Sequence, residues 1–191
     1  YQQLLDFYRQ LDAASPRVEL EEIGTTVLGR PLLLLYISSA ENIEQLDRWK
    51  QISRELANAR IDDETAQSHA EAGKAIVWID GGLHATEVAP SQMLPRLAHH
   101  VATDESDETR KIRDNTIMLL MPSMNPDGLE VVRQWYERNL ETPFETTRPP
   151  ELYHHYVGHD NNRDWFMNNM PETAAVSRML YEEWFPQIVY N

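Results

Sequence analysis

Between Ala75 and Val101 the chain reads AIVWIDGGLHATEVAPSQMLPRLAHHV, and no other stretch limits the possible folds so tightly. Ala75 to Ile79 is a short apolar run with β-branched content, which suits a buried strand. Asp80-Gly81-Gly82 breaks it, and glycine there lets the backbone turn sharply and approach a bound group. His84 and Glu87 follow. Beyond them the apolar positions change to helical spacing at Leu94, Leu97, Ala98 and Val101. Thr86 is the expected N-cap, and Pro90 is tolerable in a first turn. Pro95 is expected to kink the helix or end it early.

This arrangement puts His84 in a strand-to-helix loop and Glu87 near the helix start. In open α/β sheets ligands bind at the carboxyl ends of strands. An imidazole nitrogen and a carboxylate oxygen in one loop are natural zinc ligands, and a catalytic zinc usually takes three protein ligands and one water. A His and a Glu three apart also occur by chance in roughly a quarter of chains this long at ordinary composition. The strand, the glycine turn and the helix around the pair are what lift it above that background.

With no cysteine among the 191 residues, thiolate sites and disulfides are excluded, so zinc here requires His and carboxylate ligands. The formal net charge of −14 argues against a nucleic-acid partner, which favours a basic stripe. A small substrate is compatible with that charge, because a pocket can be locally positive on an acidic protein. No apolar run reaches the length of a membrane span. The length suits one domain, 1–191. The chain opens at Tyr1 rather than Met, which allows for a removed leader, and a secreted or periplasmic location is expected ahead of a cytoplasmic one.

Taken in order, residues 1–14 form a helix with Leu4, Leu5, Tyr8 and Leu11 on one face. Arg17 to Ile23 alternates as a strand, Gly24 to Pro31 turns, and Leu32 to Ile37 is a central-strand candidate. Glu41 to Arg60 is helical, with Ile43, Leu46, Trp49, Ile52 and Leu56 on its apolar face. Ile61 to Gly73 is polar without a clear period and reads as a surface loop. The excursion from Ala40 to Gly73 is expected to separate two neighbouring strands. An acidic loop, Thr103 to Glu108, precedes a buried strand at Thr116 to Met121. Asn125-Pro126-Asp127-Gly128 reads as a turn at that strand's carboxyl end. Leu129 onward is helical, Glu141 to Leu152 is a proline-bearing loop, and Gly158 to Trp165 is a polar run. Pro171 to Trp184 is a helix, and Gln187 to Tyr190 starts a last strand. Alternating strands and helices predict an α/β three-layer architecture: a mixed, largely parallel sheet with helices on both faces and antiparallel content near the N-terminus.

Three segments, Gly82-Leu83-His84-Ala85-Thr86-Glu87, Asn125-Pro126-Asp127-Gly128 and Asp160-Asn161-Asn162-Arg163-Asp164-Trp165, together resemble the zinc metallocarboxypeptidases in order and spacing. The resemblance spans roughly residues 17–191 and implies one zinc ion bound by His84 and Glu87. It implies that Arg163, with Asn162 beside it, binds the terminal carboxylate of a peptide substrate. A guanidinium fork matches a carboxylate and stays charged at any working pH. A loop-bracing salt bridge is the alternative for Arg163. Asp127 is expected to be structural. The family's carbonyl-polarising arginine has no counterpart at the usual spacing. Arg133 and Arg138 are available, and Arg138 is the preferred catalytic residue. The family's third ligand, a His, is expected within about three residues after Asn191, with the general-base Glu later still, so the chain reads as the front portion of a catalytic domain. His154, His155 and His159 are a weaker alternative source of a ligand.

The reading that follows is zinc-dependent peptide hydrolysis releasing C-terminal amino acids. Its rivals are a related zinc deacylase or amidase acting on N-acyl amino acids or cell-wall peptides, and a non-catalytic binding member of the fold.

Overall fold

The computed structural model describes residues 1–151 and 161–191. Its frame is a five-stranded sheet in the order β1-β2-β4-β3-β5. These strands are β1 (Val18–Thr25), β2 (Pro31–Ile37), β3 (Ala75–Asp80), β4 (Thr116–Met121) and β5 (Ile188–Tyr190). β2 is antiparallel to both β1 and β4, whereas β3 is parallel to both β4 and β5. Four strands therefore run one way and β2 alone opposes them, the mixed sheet expected.

Alternation along the strands feeds two separate cores, as the two-residue period of a strand requires. Leu32, Leu34, Tyr36, Ile76, Trp78, Ile117, Leu119 and Met121 face one side. There they meet Trp49 and Ile52 of α3 (Leu46–Asn58) and Val176 of α8 (Pro171–Arg178). The π-helical turn Met179–Trp184 adds Leu180 and Trp184 to the same core. Leu33, Leu35, Ile37, Met118 and Leu120 face the other side. Their partners are Leu5, Tyr8 and Leu11 of α1 (Gln2–Ala14), with Leu94, Ala98 and Val101 of α5 (Val88–Thr103). Helices thus cover both faces of the sheet, as expected for the three-layer fold.

Four expectations change. The polar stretch after residue 60 contains α4 (Asp63–Ala72), capped by the Asp62 carboxylate accepting from the Thr65 amide. Because none of its residues is buried, it carries no apolar period to read. Likewise Ser106 caps α6 (Asp107–Asn115), where an acidic loop was expected. The helix expected over residues 41–60 is split into α2 (Ala40–Ile43) and α3. Finally β2 and β3 are not neighbours, because β4 lies between them. A strand buried on both faces is apolar throughout whatever its partner, so composition reveals its depth and not its neighbour.

A candidate metal centre and substrate cleft

β3 ends at Asp80 and the chain turns into α5 through residues 81–87. Gly82 sits at φ +68°, a region where a Cβ is strained. A Cβ on Gly82 would also lie 2.7 Å from the Ser91 hydroxyl and 3.1 Å from that of Ser123. One on Gly81 would lie 2.8 Å from both Leu94 and Pro90 of α5. The two glycines therefore let the start of α5 close against the sheet edge. Leu83 and Ala85 are buried and His84 between them points outward. The N-cap is Glu87, one residue later than the expected Thr86, and the helix runs from Val88 past Pro95 to Thr103. Pro95 is a residue whose missing N–H costs one hydrogen bond, and here the burial of Leu94, Ala98 and Val101 outweighs that loss.

His84 Nδ1 and Glu87 Oε2 converge to 3.3 Å, with 29% and 65% of their side chains exposed. Two donors bonded to one tetrahedral zinc at ~2.1 Å would sit about 3.4 Å apart, so the pair fits a shared ion. Without metal the same separation is a hydrogen bond or, with a protonated ring, an ion pair. Among the described residues no group of three His, Cys, Asp or Glu forms a metal-binding cluster. His154, His155, His159 and Asp160 lie outside the described residues.

Two hydrogen bonds stitch the three motifs together. The Met124 amide donates to the Gly81 carbonyl at 2.9 Å, joining the loop after β4 to the loop after β3. The Asn161 side chain donates to the Met124 carbonyl at 3.2 Å, joining the turn Asn161–Arg163 to both. Asn125-Pro126-Asp127-Gly128 is the start of α7 (Pro126–Arg138) rather than a free turn, with the Asn125 side chain accepting from the Gly128 amide. Asp127 is structural, as expected, but what it holds is the loop between β1 and β2. Its carboxylate accepts from the Thr26 hydroxyl, the Leu28 amide and the Arg30 guanidinium.

Arg163 is exposed, and its guanidinium donates to the Asn162 carbonyl at 3.3 Å. Buried Asp164 anchors this turn by accepting from the Met170 amide and the Thr173 hydroxyl. β5 pairs with β3 in the register Val77↔Ile188, Trp78↔Val189 and Ile79↔Tyr190, and the Asn191 side chain donates to the Asp80 carboxylate at 2.5 Å. Trp78 Nε1 donates to the other Asp80 oxygen at 2.7 Å. Burial nevertheless pushes the Asp80 carboxyl up to about 6.

A groove of about 1090 Å³ opens beside Glu87, between the start of α1, the start of α5, α7 and residues 145–149. Arg133 and Arg148 line it, whereas Arg138 does not. Arg138 is exposed, 3.4 Å from Glu151, with its guanidinium over the Trp135 ring. Arg133 is held by Glu130 and Glu137. Arg148 has no ion pair or hydrogen bond among the described residues. Sequence reading passed over Arg148 because Thr-Arg-Pro-Pro carries no period or motif, and only the fold of that loop brings it beside Glu87.

The layered α/β sheet thus carries a His–Glu pair at the carboxyl edge of its parallel strands and an exposed arginine on a turn tied to the same edge. The zinc carboxypeptidase family model matches residues 4–181, and the chain belongs to that family. Among solved structures, a metallo-carboxypeptidase from Burkholderia cenocepacia is similar at 21% identity and TM-score 0.61, covering 94% of this chain and 37% of that one. Carboxypeptidase A from Helicoverpa armigera is similar at 17% identity and TM-score 0.58, with 95% and 42% covered. The Pseudomonas aeruginosa metallo-carboxypeptidase, solved with (2-guanidinoethylmercapto)succinic acid, is similar at 17% identity and TM-score 0.58, with 99% and 37% covered. The present chain thus spans roughly two-fifths of the length of these proteins.

Proposed function

We propose that the protein containing these residues is a zinc-dependent carboxypeptidase, with His84 and Glu87 as two of the ligands of one zinc ion. The 3.3 Å convergence of His84 Nδ1 and Glu87 Oε2 at the sheet's carboxyl edge carries the reading. Bound zinc supplies Lewis acidity and lowers the pKa of a water toward neutrality. The third ligand is a His just after Asn191, since β5 runs parallel to β3 and reaches the same edge at Asn191. The general base lies further along.

In this scheme Arg163, with Asn162 beside it, receives the free C-terminal carboxylate of a peptide. The Asn161 bond to Met124 holds that turn in register with the loop of His84. A cation near the scissile carbonyl polarises it. Arg138 was the expectation from sequence; Arg148 is now favoured, because it lines the groove with Glu87 and has no competing carboxylate among the described residues.

The test is made on the full-length protein. Metal analysis should find one zinc per chain, lost in His84→Ala and in Glu87→Ala. Arg163→Ala should lower kcat/KM on free-carboxylate peptides by the equivalent of about 2–5 kcal/mol and leave amidated peptides nearly unchanged. Equal loss on both, or hydrolysis confined to N-acyl amino acids, overturns the assignment.

A further inference from the structure

β5 has little burial to hold it. Its three residues, Ile188, Val189 and Tyr190, are all exposed. Among the described residues it pairs only with β3, at three ladder positions. Side chains tie it down at both ends. At its start the Gln187 side chain accepts from the Ile76 amide at 2.7 Å, and the Gln187 amide donates to the Ile76 carbonyl at 3.0 Å. At its end the Asn191 side chain donates to Asp80, one step beyond the last ladder pair, Ile79↔Tyr190.

Asp80 is placed to hold that end. It is buried, and its backbone is already fixed in the ladder opposite Met121 of β4. Trp78, wholly within the core, donates through Nε1 to Oδ2 and so turns Oδ1 toward Asn191. Both donors are neutral side chains. Burying a carboxylate on neutral donors costs free energy that an apolar residue would not lose. What the carboxylate gives in return is direction, through two hydrogen bonds of fixed geometry.

Two segments leave this point. β3 runs on through Gly81 and Gly82 to His84. β5 runs on past Asn191 toward the His proposed above as the third ligand. Metal ligands must be held within about 0.5 Å of their working positions, and a strand end without buried side chains tends to fray.

We propose that Asp80 is a positioning residue of the metal centre, its carboxylate clamping the end of β5 to the end of β3 so that the ligands beyond the two strands meet one ion. This rests on the zinc reading given above. Asp80 acts through its hydrogen bonds and is not itself a ligand.

The experiment measures zinc affinity of the full-length protein by competition with a chromophoric chelator. Asp80→Ala and Asn191→Ala should each weaken zinc binding tenfold or more, the size of effect seen when groups that orient metal ligands are removed. The double variant should lose no more than about threefold beyond the worse single one, because both remove the same bond. Asp80→Asn should stay within about threefold of wild type. Its Oδ1 still accepts from Trp78, and its Nδ2 donates to Asn191 once that amide turns round. Gln187→Ala unties the far end of β5, so it should lower stability in denaturant yet change zinc affinity less than about threefold. Asn191 is exposed, so Asn191→Ala keeps the test open if Asp80→Ala fails to fold. Wild-type affinity in Asn191→Ala overturns the clamp. So do single losses that multiply in the double variant, or an equal loss in Gln187→Ala, which would mark a general loosening of the strand. The expected zinc pattern in a protein that hydrolyses no peptide would retain the clamp and sink the peptidase reading. A wild-type protein that takes up no zinc overturns both.

Discussion

Replacing Gly82 by alanine tests the local physics that aims His84 and Glu87. Two costs are separable. Alanine at φ +68° carries a left-handed penalty of about 1–2 kcal/mol. Its Cβ also meets the Ser91 hydroxyl at 2.7 Å and the Ser123 hydroxyl at 3.1 Å, and forcing such contacts apart in a packed site costs roughly 1–3 kcal/mol. The sum, about 2–5 kcal/mol, is a large share of a typical stability of about 5–15 kcal/mol. Gly29 supplies the control. It sits at φ +78° with nothing within 4 Å of a built Cβ, so Gly29→Ala carries the backbone cost alone. Guanidinium unfolding with a constant m-value measures both variants. Gly82→Ala should be the more destabilising by about 1–3 kcal/mol, and Ser91→Ala in the same chain should recover part of that difference through coupling. Equal costs within about 0.5 kcal/mol would refute the argument that this glycine is needed for close packing.

The raised pKa of Asp80, about 6 in the folded protein, gives a signed pH dependence. Between roughly pH 4 and 6 the folded state binds the proton that the unfolded state has released, so stability falls as pH rises, by on the order of 3 kcal/mol in total. Asp80→Asn should flatten that slope in denaturant titrations at pH 4, 5, 6 and 7, and an unchanged slope would remove Asp80 as its origin. Asp127→Ala unpairs Arg30, Thr26 and the Leu28 amide together, and should cost about 2–4 kcal/mol with faster proteolysis between Thr26 and Arg30. Arg148→Ala should lower kcat at least tenfold with little change in zinc content while Arg138→Ala stays near wild type; the reverse order would return the catalytic role to Arg138.

The sequence by itself determined most of the frame. β4 at Thr116 to Met121 was legible because a strand buried on both faces must be apolar at nearly every position, and β3 from Ala75 because its short apolar, β-branched run stops at a glycine turn. The His84–Glu87 pair was legible because a glycine turn between an apolar strand and a periodic helix announces the loop that holds it. α4 and α6 escaped notice, since a helix held by Asp62 or Ser106 caps with few buried residues shows no apolar period.

Tertiary structure decided the rest. Only the folded sheet put β4 between β2 and β3. The same fold set Asn161 and Gly81 on either side of Met124. Arg148 became a candidate only when the 145–149 loop folded beside Glu87. Periodicity records how deeply each residue is buried and on which face of its own element. Which elements share an edge is set by pairings between residues as far apart in the chain as Asp80 and Asn191, and local pattern carries no trace of such pairings.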